Sequence, residues 1–142
     1  MDSANWHAFR DPRFDLHFSY PTTVAGHTVE RIEETTEQQI TIRLTSNERK
    51  DVYFEVSKFV NANAHEHYQA LKEHSQRATE VFVVGDLAET QLGGQPALTF
   101  SFQRGALHRK VLLVQRAQDC YRITYNPAYP LNQRLAETIV FS

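Results

Sequence analysis

The chain has 142 residues, of which 41% are hydrophobic, and its formal net charge at pH 7 is -2. This length fits one domain, which can bury roughly two-thirds of the surface of its unfolded chain without a metal or a disulfide. The slightly acidic balance argues against nonspecific binding to nucleic acid, and the sequence contains no apolar run long enough to span a bilayer.

Alternating polar and apolar residues in the N-terminal third predict strands. Residues 1–13 are polar apart from Trp6 and Phe9, which stand as isolated anchors before a turn at Asp11-Pro12. Residues 14–20 alternate strictly and predict a strand that ends at Pro21. Three further strands are predicted at residues 28–34, 38–45 and 52–57. The first two form a hairpin whose acidic first arm is typical of an exposed sheet edge.

A change of period in the middle of the chain predicts a helix over residues 63–78. Asn63 and Glu66 approximate a capping box, and apolar or small residues recur at helical spacing from Ala64 to Ala78. This helix is expected to cover one face of the sheet.

Three long strands between Leu92 and Tyr125 are predicted to form the central meander of the sheet, preceded by short strands at residues 80–85 and 87–92. The middle strand carries the uninterrupted apolar run Val111 to Val114, which is typical of a strand with both faces covered.

After Asn126-Pro127, the spacing of Leu131, Leu135 and Ile139 predicts a short helix on the other face. The predicted fold class is therefore α+β. We expect one domain over residues 1–142, a mostly antiparallel sheet of about six to seven strands flanked by helices on both faces.

Several short motifs resemble those of the PsbP and Mog-type superfamily, which includes PsbP-like and DcrB-like domains. They are the strand ending in SYP at residues 19–21, the middle helix, the GQPA segment at residues 94–97 and a terminal helix close to Phe141. The resemblance implies an α/β/α sandwich fold. Members of this superfamily are mostly binding or assembly factors, and they include photosystem II subunits, Ran-binding proteins, lipoproteins and effector chaperones. Residues 22–24 occupy the place where many members have a tryptophan. For this reason we assign none of the family's functional residues to positions in this chain.

The residues that could carry chemistry do not form a complete catalytic or metal-binding motif. His65, His67 and His74 on the predicted helix lack the three- or four-residue spacing of a helical metal pair. Cys120 is the only cysteine and is expected to be a buried, inert thiol. Gly93-Gly94 lacks the lysine and the helix of a phosphate-binding loop, so it predicts a turn. We therefore expect no metal, no cofactor and no enzymatic activity, and the resemblance to PsbP leaves weak metal binding by the histidines open as an alternative.

Two charged clusters are predicted at hairpin tips. The basic cluster, a candidate partner-binding site, comprises Arg104, His108, Arg109 and Lys110. The acidic cluster comprises Glu30, Glu33, Glu34 and Glu37. Charge at exposed hairpins usually serves solvation and prevents edge pairing, and the alternative is a docking surface for a protein partner.

The leading hypothesis is a non-enzymatic binding or assembly module that recognises a protein partner. The alternative is a small-ligand carrier or an enzyme that uses the concave face of the sheet, with His17, Tyr53 and Tyr121 as candidate ligand-binding residues. With Met1 as the native start, a cytoplasmic location is expected. A trimmed leader would instead make the chain a secreted protein or a lipoprotein ectodomain.

Overall fold

The computed structural model describes residues 6–49 and 52–141, which form thirteen strands and two helices. The strands are β1 (Trp6–Asp11), β2 (Leu16–Pro21), β3 (Thr23–Val24), β4 (His27–Thr28), β5 (Glu30–Thr35), β6 (Gln39–Thr45), β7 (Tyr53–Phe59), β8 (Phe82–Val84), β9 (Ala88–Leu92), β10 (Gln95–Arg104), β11 (Leu107–Arg116), β12 (Asp119–Tyr125) and β13 (Val140–Phe141). The helices are α1 (Ala64–Arg77) and α2 (Pro130–Glu137).

An eight-stranded antiparallel sheet forms the centre of the molecule. Its order is β5-β6-β7-β12-β11-β10-β8, and β9 pairs with another part of β10. The predicted meander is confirmed as β10, β11 and β12, and Ile123 of β12 lies opposite both Leu112 and Val56 on the neighbouring strands. Antiparallel neighbours are typical of hairpin connections. Here one hairpin joins β5 to β6, and consecutive hairpins join β9 to β10, β10 to β11 and β11 to β12.

Alternation along the strands gives the central sheet two different faces. On one face, Val56, Leu112 and Ile123 belong to a large apolar core. On the other face, Val111 and Leu113 pack in a smaller core with Tyr68 of α1. The prediction that β11 is covered on both sides is therefore confirmed, since successive side chains point to opposite faces.

The large core is closed by a second sheet, and here the predicted architecture needs a correction. A three-stranded sheet of order β1-β2-β13 packs on the face opposite α1, together with α2. Phe18 of β2 stacks on Phe9 of β1 with ring centroids 4.8 Å apart and packs on Phe54 of the central sheet. The molecule is thus richer in sheet than the predicted six to seven strands flanked by helices alone.

Strand β1 shows why the sequence did not predict the second sheet. Its burial does not alternate, because Phe9 is the one fully buried side chain of the strand. The strand forms because its whole backbone pairs with β2, from Trp6 opposite Pro21 to Asp11 opposite Leu16. A strand that is held by backbone hydrogen bonds need not show alternating polar and apolar side chains, so its sequence does not reveal it.

Both helices lie close to their predicted places. The Asn63 side chain accepts a hydrogen bond of 3.1 Å from the backbone N–H of Glu66, so it caps α1 as the motif predicted. Helix α2 ends at Glu137, and Ile139 is buried just beyond it. Over the described part of the chain, neither helix has the length and apolarity needed to cross a membrane.

Candidate functional site: a groove beside helix α1

Helix α1 packs mainly over β8 and β11 and leaves a groove of about 410 Å³ along the same face of the sheet. We call this the α1 groove. Its polar side is formed by Arg43, Tyr53, Glu55, Arg109 and Arg122. Its apolar side is formed by Leu71, Phe100, Phe102, Leu107 and Val111. The volume lies within the range of small-molecule pockets.

Glu55 is the centre of the polar side and is only 5% exposed. Its Oε2 accepts hydrogen bonds from the Tyr53 hydroxyl at 2.7 Å and from Arg43 Nε at 3.2 Å. Its Oε1 accepts from Arg122 Nη2 at 3.0 Å and from Ser57 Oγ at 3.3 Å. The carboxylate therefore joins β6, β7 and β12 through their side chains.

The protonation of Glu55 follows from these contacts. Burial alone would raise the pKa of its carboxyl, but the hydrogen bonds from Tyr53 and the two arginines outweigh burial and lower that pKa. Burial and the neighbouring carboxylate raise the pKa of Tyr53. Glu55 is thus an ionised anchor for Arg43 and Arg122 rather than a proton donor.

Arg122 connects the sheet to helix α1. Its Nη1 lies 3.2 Å from Nε2 of His67, whose ring packs on Phe59 with centroids 4.8 Å apart. Burial and the Arg122 charge lower the pKa of His67 to about 4, so the imidazole is neutral at pH 7 and Nε2 can accept from Arg122. The Arg122 Nε is buried and has no hydrogen-bond partner among the residues that the structure describes.

Arg109 is the third guanidinium of the groove, and it lies over the Tyr53 ring with its Cζ 4.2 Å from the ring centroid. Its Nη1 donates to the carbonyl oxygen of His108 at 2.8 Å. Within residues 6–49 and 52–141, no carboxylate forms an ion pair with Arg109. Burial lowers its pKa, although a guanidinium keeps its charge at neutral pH.

The predicted basic cluster is divided between the two faces of the sheet. Phe102 lies opposite Arg109 and Arg104 opposite Leu107, which places both arginines on the α1 side. His108 and Lys110 point to the other side. Arg104 is also occupied, since its Nε donates to Glu80 at 2.7 Å. The structure brings only Arg109 into the groove.

The three predicted ligand-binding residues do not meet in one pocket. Tyr53 lines the α1 groove. Tyr121 points to the opposite face, where its buried ring packs against Phe141 with centroids 5.4 Å apart and burial raises its pKa to about 12. His17 belongs to β2 in the second sheet. The site thus takes one residue from each predicted set, Arg109 and Tyr53, and places them in direct contact.

Sequence analysis missed Arg43, Glu55, His67 and Arg122. On their strands, Arg43, Glu55 and Arg122 alternate with core residues and therefore resemble ordinary solvent-facing positions. The register carries the missing signal, because Arg43 lies directly opposite Glu55, and Arg122 lies opposite Ser57, two residues along β7 from Glu55 and on the same face. Opposite charges on adjacent strands indicate a cross-strand network only when the pairing is known.

A second cavity, of about 480 Å³, lies between the start of α1, β9 and β10. Gln115 is one of the polar side chains that line it, and the side-chain amide of Gln115 is committed to backbone groups. Its Oε1 accepts from the Ala64 N–H at 2.8 Å, and its Nε2 donates to the carbonyl oxygens of Ala62, Ala117 and Asp119. These bonds hold the segment before α1 against the turn between β11 and β12, so this cavity is the weaker candidate.

Two other kinds of reactive group, the cysteine thiol and possible metal ligands, do not add a catalytic function to the groove. Cys120 is buried as expected, and burial raises its thiol pKa to about 11. Among the described residues there is no group of three histidine, cysteine, aspartate or glutamate side chains that could hold a metal ion.

Comparison with known proteins identifies the fold. No family model matches the chain, and no curated protein matches it in sequence. The solution structure of a cyanobacterial PsbP from Synechocystis sp. PCC 6803 is similar, with a TM-score of 0.63 and 11% identity over 98% of this chain and 94% of that one. A protein of unknown function from Pseudomonas aeruginosa is 12% identical over 98% of this chain and 99% of its own, with a TM-score of 0.47. The predicted resemblance is confirmed at the level of the fold: this protein has the fold of the PsbP-like proteins.

Proposed function

We propose that this protein is a non-enzymatic binding module that recognises a protein partner through the α1 groove. The observation that carries the proposal is the contact between Arg109 and Tyr53 at the edge of an apolar wall. A guanidinium stacked on an aromatic ring is held in one orientation and can bind an anionic group from a partner. Arginine and tyrosine are also enriched among the residues that dominate binding energy at protein interfaces.

The protonation states in the groove support a binding role over catalysis. Hydrogen bonds lower the pKa of Glu55, and burial lowers that of His67 to about 4. A general base acts best when its pKa is near the working pH, and both of these pKa values are lowered away from neutral pH. The chemistry of these groups therefore favours recognition.

The alternative function is binding of a free small molecule in the same groove. The volume of about 410 Å³ favours it, because pockets for small ligands commonly measure roughly 300–1,000 Å³. Both functions use the same guanidinium and the same apolar wall, so they differ in the occupant and not in the site.

The test compares two variants that make the same charge change on neighbouring residues. The tagged protein, Arg109→Glu and Lys110→Glu are used to capture proteins from a lysate of the source organism. We expect a partner that wild type and Lys110→Glu retain equally and that Arg109→Glu loses. Lys110 is a matched control because it is also half-buried but faces the other side of the sheet.

Equal capture by Arg109→Glu and wild type would contradict the use of the groove. Loss in the Lys110→Glu variant alone would place the interaction on the opposite face. Circular dichroism of all three proteins establishes that each is folded before capture is compared.

A further inference from the structure

The α1 groove carries one more positive charge than its own carboxylates neutralise. Its lining includes the guanidiniums of Arg43, Arg109 and Arg122 and the carboxylates of Glu34 and Glu55, and three minus two leaves one positive charge. His67 does not add to this balance, because its pKa is lowered to about 4. The groove is therefore suited to a group with a single negative charge.

The ion pairs locate that excess charge at Arg109. Arg43 binds both Glu34 and Glu55, and Arg122 binds Glu55. Arg109 is half-buried and forms no ion pair in the part of the chain that the structure describes. A partly buried charge is stabilised when an opposite charge reaches it, so this end of the groove favours an external anion.

An apolar wall begins directly beside this charge. Phe102 lies opposite Arg109 on the adjacent strand, and such pairs have their Cβ atoms about 4.5–5.5 Å apart. Leu107, two residues before Arg109, is 42% exposed at the mouth of the groove. A ligand that places an anion on Arg109 therefore places its neighbouring atoms against Phe102 and Leu107.

We infer that the α1 groove binds a carboxylate attached beside an apolar side chain, and that its occupant is the apolar C-terminal residue of a polypeptide. This inference rests on the proposed function and names the chemistry of the partner. In a C-terminal residue, the α-carboxylate and the side chain share one carbon atom, which matches the adjacency of Arg109 and the apolar wall. An internal aspartate or glutamate carries its carboxylate at the end of a side chain with no apolar group beyond it. A phosphate would bring about two charges to a site with an excess of one.

The test uses NMR titrations of the isotope-labelled full chain. The probes are N-acetyl-L-leucine, its C-terminal amide, acetate and N-acetyl-Gly-Gly-Gly-Leu. We expect saturable shifts around Arg109, Tyr53 and Leu107 with N-acetyl-L-leucine and with the longer peptide. Binding of the amide and of acetate should be at least about tenfold weaker, since the first lacks the charge and the second lacks the apolar group.

Three variants assign the effect to its residues. Arg109→Gln should weaken N-acetyl-L-leucine at least about tenfold, whereas Lys110→Gln should bind it as wild type does. Leu107→Gln changes the apolar mouth at an exposed position at the start of β11. This variant should bind N-acetyl-L-leucine more weakly and leave the affinity for acetate unchanged. Its exposure keeps this variant informative even if Arg109→Gln fails to fold.

The contrary outcomes are distinct from one another. Equal affinity for the acid and the amide, or for acetate and N-acetyl-L-leucine, would overturn the proposed chemistry. Binding of N-acetyl-L-leucine that the longer peptide cannot reproduce would identify a free small acid and overturn the polypeptide occupant. Partner capture that depends on Arg109 without any binding of these probes would leave the binding module standing and remove only its C-terminal ligand.

Discussion

At the scale of single residues, Glu55 shows how a charged side chain can belong to a sheet face without facing bulk water. It lies on β7 between Phe54 and Val56, which point into the large core. Its carboxylate points the other way, where four donors from three strands replace the water it loses. Removing the carboxylate would leave two arginines without their shared counter-ion.

The first prediction concerns Glu55→Ala. We expect the free energy of unfolding to fall by about 2–3 kcal/mol, less than the roughly 3–5 kcal/mol for breaking a fully buried pair, because both arginine side chains are partly exposed. Urea denaturation of wild type and variant measures this difference. Glu34→Ala is the matched control: Glu34 pairs with the same Arg43 from an exposed position, so its removal should cost about 0–1 kcal/mol. Equal losses in the two variants would contradict the central role of Glu55.

At the scale of elements, the turn between β9 and β10 is determined by its two glycines. The sequence predicts a turn at Gly93-Gly94, and both residues have positive φ angles, +56° and +79°. They differ in their surroundings. A Cβ on Gly93 would lie 2.7 Å from the carbonyl oxygen of Ile139, whereas a Cβ on Gly94 would meet nothing within 4 Å. Gly93 therefore lets the turn pack against the segment that follows α2.

The second prediction compares Gly93→Ala with Gly94→Ala. Both variants place an alanine in the left-handed region, which costs about 1–2 kcal/mol. Gly93→Ala adds a clash with backbone and should lose more stability than Gly94→Ala in the same thermal denaturation experiment. If the two substitutions lower the melting temperature equally, close packing of the turn against Ile139 is not a source of stability.

The helices show which element features a pattern can predict. The apolar spacing and the Asn63 cap predicted α1 to within one residue at each end, because both signals are local. The position of α1 over β8 and β11, rather than over the whole face, depends on contacts distant in sequence. One of these is the hydrogen bond of 2.8 Å from the Tyr68 hydroxyl to the carbonyl oxygen of Gly85. This partial cover is what opens the groove.

At the scale of the whole molecule, one sheet separates two different layers. The large core against the second sheet and α2 is apolar. The α1 side combines a smaller apolar core with the polar network around Glu55. His67 joins the helix to that network through Arg122, so its protonation affects how α1 is held on the sheet.

The third prediction is a pH dependence that originates at His67. Its pKa is lowered from 6.5 to about 4 in the folded protein, so the unfolded chain binds more protons than the folded chain between these values. The His67 contribution to stability is therefore complete above pH 6.5 and decreases as the pH falls towards 4. His67→Gln removes the titrating group and should show a smaller loss of stability across this window in urea denaturation at a series of pH values.

His65→Gln is the control for this prediction, because His65 is exposed on the same helix. It should follow the wild-type pH dependence. A pH profile of His67→Gln that is parallel to wild type would show that His67 is protonated as easily in the folded protein as in the unfolded chain.

The sequence by itself determined the local structure and most of the central sheet. Alternation predicted β2, β6, β7 and the meander, and helical spacing predicted α1 and α2, since each pattern is written in consecutive residues. Tertiary structure decided the second sheet, where β1 forms by pairing with β2 and β13 returns from the end of the chain. It also decided the groove, because Arg43, Glu55 and Arg122 meet only when three strands are in register, and α1 covers only part of the face on which they lie. Side-chain periods are local, whereas register and helix placement depend on contacts between residues far apart in the chain.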